Sequence, residues 1–267
     1  MVEGEAGTVP LFGVPVRAER LDDAIASIDA VIRARRPTIH VVLNAGKVSK
    51  VASDEGFREL MNRFDMVHAD GASVVLASRL LGRPLPERVA GIDLMLALVE
   101  LAERRGYRPY FLGARREVVE RCVAALRRKH PRLEVAGLRD GYWDESDPES
   151  VRAVVDAVRA AAPDLLFVAV PTPKKERFLA EHKQALGVPF MMGVGGAFDV
   201  VAGIVRRAPL AWQRFGMEWA YRLIQEPRRM WKRYLVTNTH FAWLLGREMV
   251  RTWILRNPSP GLRSVGR

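Results

Sequence analysis

Along residues 38–205, short apolar runs alternate with longer segments whose apolar residues recur at three- and four-residue intervals. The runs are TIHVVLN (38–44), DMVHA (65–69), RPYFLG (108–113), LEVAGL (133–138), DLLFVAV (164–170) and PFMMGV (189–194). Near-continuous apolar character predicts strands buried on both faces. The periodic segments around 47–63, 72–81, 91–105, 115–129, 148–161 and 174–186 predict helices that cover them. An earlier segment repeats Leu21, Ile25, Ile28 and Ile32 in the same way and predicts one more covering helix. This alternation implies an α/β fold built on a mostly parallel sheet with helices on both faces. Such sheets bind ligands where the carboxyl ends of strands meet helix N-termini. Asn44, Asp70, Gly113, residues 171–175, Gly195 and Gly196 fall at those ends, so they are expected to ring one crevice.

Past residue 205 the alternation stops and the pattern becomes purely helical. Between Val205 and Arg256 there are eleven Lys or Arg against three Glu, together with Trp212, Trp219, Trp231, Trp243 and Trp253, five of the six tryptophans. The break falls in RRAPLAWQRFG, where Pro and Gly punctuate the chain. Two units are therefore expected: an α/β domain over 1–204 and a helical appendage over 205–267.

With 267 residues, 49% of them hydrophobic, the chain can bury a large core, and disorder is not expected. The formal charge of +11 suits an anionic partner, whether nucleic acid, an acidic membrane surface or a phosphorylated substrate. Charge alone does not choose among them. The single cysteine, Cys122, excludes an intrachain disulfide and a Cys-rich metal site, and within EVVERCVAALRRK it reads as a buried thiol. The N-terminus MVEGEAGTVP lacks the basic flank and apolar core of a secretory signal, which points to the cytoplasm. The longest weakly charged run, PFMMGVGGAFDVVAGIV, carries Asp199 and four glycines and falls short of the roughly 20 apolar residues a bilayer span needs. Membrane contact is expected to be peripheral.

Asp70 ends an apolar run, precedes Gly71 and opens a helical pattern. It is placed either to cap that helix or to act as a general base at the mouth of the crevice. MMGVGGAFD sets a glycine cluster between a strand and a helix, where backbone amides can approach phosphate, although a tight turn explains it equally well. It matches neither a Walker loop nor a G-x-G-x-x-G fingerprint. In VPTPKKERF, Lys174 and Lys175 sit at a helix start, against the helix dipole, which favours an anion nearby. His40, His68, His130, His182 and His240 are scattered, and no metal-ligand spacing stands out. In the tail, Arg222, Arg229 and Arg233 are spaced to share one helix face, unless Pro227 breaks that helix. That basic, Trp-rich segment reads as a solvated helix, a membrane-surface helix or a lid bringing arginine to a diphosphate.

In this order across nearly the whole chain, ADGASVVLASRLLGRPLPERVAGIDL, YFLGA, PDLLFVAVPTPKKERF, GVGGAFDVVAG and RRAPLAWQRFGMEWAYRLIQEPRRMWKRYL resemble the WecG/TagA/CpsF family of bacterial glycosyltransferases. The resemblance implies a Rossmann-like α/β fold. It also implies an inverting, metal-independent transfer of a sugar from a UDP-sugar to a polyprenyl-diphosphate-linked saccharide at the cytoplasmic membrane face, with no cofactor. The sugar implied is N-acetylmannosamine, its uronic acid or another hexose, in cell-surface polysaccharide synthesis. By the same comparison Asp70 is the catalytic base, and Asn44 and Arg88 are polar pocket residues. Arg222, Arg229 and Arg233 close over the donor diphosphate, with Arg228 and Lys232 as neighbours in the alignment. Tyr142 and Asp199 are nucleotide contacts by that comparison, while Gly113, Lys175, Gly195 and Gly196 are substrate-binding candidates from their place in the ring at the strand ends.

Two positions depart from the family pattern. Val42 stands where a threonine is usual, and Lys175 stands where a glutamine is usual. Both changes imply a donor or acceptor other than the N-acetylmannosamine case, toward an acidic or non-acetamido sugar. Two other readings stay open: a basic nucleic-acid-binding protein, and an inactive UDP-binding scaffold subunit. The first conflicts with a carboxylate in the crevice and with Trp and Arg gathered at one end, so no nucleic acid partner is expected. An anionic membrane surface is. The sequence also leaves open whether the tail closes over its own crevice or over a neighbour's in a homo-oligomer.

Overall fold

A computed structural model describes residues 7–214 and 216–254, apart from the side chains of Arg214, Arg229, Arg233 and Ile254. Six strands form one parallel sheet: β3 (Thr38–Leu43), β4 (Met66–Ala69), β5 (Pro109–Gly113), β6 (Gly137–Arg139), β7 (Leu165–Ala169) and β8 (Phe190–Gly193). Their order is β4-β3-β8-β7-β5-β6. Every one of the six apolar runs became a strand, and LEVAGL pairs only from Gly137, opposite Tyr110. Upstream of Gly137 a turn closed by Leu133 N–H on the His130 carbonyl holds the chain out of the ladder.

Successive residues of each strand feed two cores. Ile39, Val41, Leu43, Leu166, Val168 and Met191 pack on one face, and Phe111, Phe167, Phe190 and Met192 on the other. The first face is covered by α2 (Ala45–Ser53), α3 (Glu55–Asn62), α7 (Pro148–Ala161) and α8 (Lys174–Leu186), and the second by α1 (Leu21–Arg33), α5 (Gly91–Arg105) and α6 (Arg116–Lys129). Two-sided burial is why the strands read as continuous apolar runs.

Two local features differ from the expected elements. The helix expected over 47–63 is divided between α2 and α3, because Asp54 takes an extended conformation and accepts the Phe57 N–H at 2.9 Å, capping a new helix. An antiparallel hairpin also precedes α1: β1 (Thr8–Leu11) and β2 (Val14–Arg17). Its turn residues Phe12 and Gly13 both have positive φ, the geometry that suits right-twisted hairpins. The hairpin buries Leu11, Val14 and Val16 in the first core beside the β4 edge.

Beyond the sheet come α9 (Ala197–Val201), α10 (Leu210–Arg214), α11 (Glu218–Gln225) and α12 (Pro227–Met249), the last running on into a π-helical turn over Val250–Ile254. The tail arginines do not share one helix: Pro227 starts α12, so Arg222 belongs to α11 and Arg229 and Arg233 to α12. Proline has no N–H to continue a helix but suits a first turn. The long helix lies against α2, with Met230, Phe241 and Leu244 buried and the Phe241 ring 5.5 Å from that of Phe12. No helix among the described residues is long and apolar enough to cross a membrane.

Candidate active site

The carboxyl end of β3 continues into Asn44, whose Oδ1 accepts the Lys47 N–H at 3.0 Å and caps α2. Next to it, the Asp70 N–H donates to the Leu43 carbonyl at 2.9 Å, which carries Asp70 just past the end of β4. Gly71 then turns with φ of 103°, a conformation that side chains rarely adopt, and α4 (Ala72–Leu80) begins. The Asp70 side chain does not cap α4, whose N-cap Gly71 has no side-chain partner. It accepts instead from the Gly91 N–H at the start of α5, across the crevice.

Arg88 is delivered to the same place by the loop before α5, which hangs on β4 through the Val89 N–H and the Ala69 carbonyl at 3.0 Å. Arg88 hydrogen-bonds Glu218 of α11 and lies 3.8 Å from Asp93, which in turn meets Arg207 at 2.6 Å. Gly216 presses on Ala72, where an added Cβ would collide with the alanine side chain. The beginning of the tail therefore sits over Asp70. Loss of hydration raises the Asp70 carboxyl above the usual carboxylate range. Arg88 opposes that rise, Glu218 adds to it, and the Gly91 N–H and Lys47 oppose it more weakly. A carboxylate that resists ionisation beside a crevice is suited to take a proton.

Toward the other end of the sheet, a cavity of about 560 Å³ opens over β5, β6 and β7. Tyr142, Trp143, Asp144, Pro171 and Lys174 line it, and Tyr142 is 71% exposed. Gly113 and Gly141 make the close approach beneath it. A Cβ on Gly113 would strike the Ala169 backbone, and one on Gly141 the Val170 side chain. Lys174 Nζ donates to the Trp143 carbonyl at 2.8 Å and lies 3.9 Å from the centre of the Trp143 ring, which fixes the aromatic wall.

Between the cavity and Asp70, the glycine cluster carries an arginine. A Cβ on Gly196 would stand 3.5 Å from the Arg222 guanidinium and 3.9 Å from Asp199 Oδ2. Gly195 has φ of 54°. Arg222 thus reaches the glycines, while the Arg229 and Arg233 side chains lie outside the described residues. The same region holds a group that sequence reasoning named only in part. Lys175 and Lys47 both meet Glu176 Oε1, at 2.9 Å and 2.8 Å, and Thr172 donates to that oxygen at 3.1 Å. All three charged residues are buried. Burial alone would raise the Glu176 carboxyl, but the two lysines hold it down to about 2. Lys47 carried one legible signal, a lysine in a first helical turn three residues beyond a strand end.

Val42 faces the α5 start, its Cγ1 3.7 Å from where a Gly91 Cβ would stand, so it lines the wall beside Asp70. His40 and His68 are not scattered: they are adjacent and buried, 3.0 Å apart, with His68 3.0 Å from Glu19. His130 pairs with Glu103 at 2.9 Å. Cys122 is buried, and burial beside Asp199 pushes its thiol up to about 12, as befits a packing residue. Among the described residues no group of three or more His, Cys, Asp or Glu is arranged to hold a metal ion.

This geometry sits in a chain with known relatives. Residues 9–254 match the Glycosyl transferase WecG/TagA/CpsF family. The N-acetylglucosaminyldiphosphoundecaprenol N-acetyl-beta-D-mannosaminyltransferase of Bacillus spizizenii (strain ATCC 23059 / NRRL B-14472 / W23) is 36% identical over 192 residues, covering 72% of this chain and 72% of its own. A match running through the strand-end carboxylate, the glycine cluster and most of the tail leaves no doubt of kinship: the chain belongs to the WecG/TagA/CpsF family of glycosyl transferases.

Proposed function

We propose that the protein transfers a sugar from a UDP-sugar to a polyprenyl-diphosphate-linked saccharide, with inversion at the anomeric carbon and without a metal ion. The observation that carries this reading is the placement of Asp70 at one end of a crevice whose other end is a cavity with an aromatic wall, with cations between them. The uridine takes the cavity at Tyr142 and Trp143, and the sugar lies toward Asp70, Asn44 and Arg88. Asp70 accepts the proton of the acceptor hydroxyl. The hydroxyl oxygen bonds to the anomeric carbon from the face opposite the diphosphate, and the carbon–oxygen bond to phosphate breaks. Its electron pair leaves on the phosphate oxygen, where Arg222 and the amides at Gly195 and Gly196 receive the charge. Arg229 and Arg233 join them as the appendage, residues 205–267, closes over the domain of residues 1–204.

The relative acts on a diphosphoundecaprenol-linked N-acetylglucosamine, as its name states, and that supports a lipid-linked acceptor. Such an acceptor resides in the membrane, so the protein works peripherally at the inner face of the cell membrane. Val42 and Lys175 alter the crevice, and the sugar they select is an acidic or non-acetamido one. Release of UDP from a panel of UDP-sugars, with the lipid-linked acceptor and with EDTA present, tests the reading. Acceptor-dependent release unaffected by EDTA is expected. Release that needs an added divalent ion contradicts the metal-free mechanism, and a strong preference for N-acetylmannosamine contradicts the altered sugar.

A further inference from the structure

The sheet order places β8 and β3 between β7, where the nucleoside cavity opens, and β4, where Asp70 stands. Strands lie about 4.8 Å apart, so β7 and β4 are separated by about 14 Å. Whatever joins a nucleoside at one end to a reacting sugar at the other must cross the carboxyl ends of β8 and β3. The Lys47–Glu176–Lys175 group is built there. The Lys175 stem lies across Gly193, the last residue of β8, where an added Cβ would come within 3.0 Å of its Cδ and 3.1 Å of its Cε. Lys47 comes from the first turn of α2, directly after β3, and its charge is felt by both Asp70 and Glu176.

Two ammonium groups share one oxygen of one carboxylate, so the group carries a surplus positive charge in a buried position. Burying charge without full compensation is costly. Lys47 Nζ is 2.8 Å from Glu176 Oε1, and with three N–H donors and a side chain only 6% exposed it keeps donors to offer a further anionic oxygen. A purely structural pair would need one lysine, not two. We propose that Lys47 and Lys175, tethered by Glu176, form an anion subsite that binds the donor's diphosphate and receives the charge of the departing phosphate.

This rests on the nucleotide-sugar reading above and adds Lys47 to the residues that touch the substrate. A carboxylate on the sugar offers the same anionic oxygen chemistry, so the test separates the two sources. Binding of uridine, UDP and inorganic diphosphate is measured calorimetrically on the wild type and on Lys47→Met and Lys175→Gln, with melting curves to confirm folding. Lys47→Met is expected to weaken UDP and diphosphate at least tenfold and leave uridine unchanged, and Lys47→Arg to restore much of the loss. A merely structural role would shift uridine and UDP alike. Equal loss for uridine and UDP overturns the proposal, and so does no loss for UDP and diphosphate, which would leave a sugar carboxylate as the anion the lysines meet. Should Lys47→Met fail to fold, Lys175→Gln carries the same comparison. A wild type that takes diphosphate but ignores UDP would refute the uridine donor while leaving the subsite standing. One that takes neither refutes the subsite.

Discussion

Asp70 is partly exposed, yet its neighbours strip away enough water that its proton is held more tightly than on an ordinary carboxylate. A base must be ionised, so activity is lost as pH falls through this raised value. The acid limb of the kcat/KM profile should therefore lie above the usual aspartate range of about 3.9. The folded state favours the protonated form, so the contribution to stability is present at low pH and is lost as pH rises through the folded value. Asp70→Asn, which keeps an acceptor for the Gly91 N–H, should accordingly raise the melting temperature at neutral pH while activity collapses. An acid limb near 4, or a lower melting temperature, would show that Asp70 is as well solvated as any surface carboxylate. Its position at a strand end was legible in the sequence. Its Gly91 partner was not, because that contact spans two elements and has no local spacing to announce it.

At the scale of elements, the crevice is held open by helices that start at strand ends and are tied to one another by charge. Glu176 of α8 and Lys47 of α2 join the two helices at the carboxyl ends of β8 and β3. Glu176 titrates at about 2, so its contribution is complete at neutral pH and lost only as pH falls from the usual glutamate range toward that value. Glu176→Gln leaves two buried ammonium groups without a counter-charge and should cost about 3–5 kcal/mol in urea unfolding at pH 7. A cost below about 1 kcal/mol would mean that the lysines are already solvated. The strands were legible because burial on both faces leaves a continuous apolar run. Element ends were less so. Asp54 divides a periodic segment by capping, and the hairpin at Phe12–Gly13 is signalled only by a turn between two four-residue strands. Pro227 was visible as a possible break and did separate Arg222 from the later arginines.

At the scale of the whole molecule, the tail does two things at once. Gly216, Glu218 and Arg222 face the crevice, while α12 packs one side on α2 and exposes Trp231, Leu235, Val236 and Trp243 elsewhere, with Arg228, Lys232 and Arg247 exposed along the same helix. Apolar and basic side chains interleaved on an exposed helix are the chemistry of an anionic membrane interface. The protein should co-sediment with vesicles containing phosphatidylglycerol and detach as salt rises, with Trp231→Ser and Trp243→Ser together weakening binding several-fold. Equal binding to neutral vesicles would remove the electrostatic part of this reading. The basic, Trp-rich character of the tail was legible in the sequence, but its division into a crevice side and a solvent side depends on packing against α2, which no single segment encodes.

If Asp70 is the base of a glycosyl transfer, its removal separates turnover from binding. UDP release in the presence of the preferred donor and a polyprenyl-diphosphate-linked acceptor is measured for the wild type and Asp70→Ala, alongside UDP affinity for both. Removing a general base should lower turnover by about 10²–10⁴-fold and leave UDP affinity within about threefold of the wild type, because Asp70 stands past β4, three strands away from β7 and the cavity at Tyr142 and Trp143. Near-normal turnover by Asp70→Ala would contradict the assignment outright.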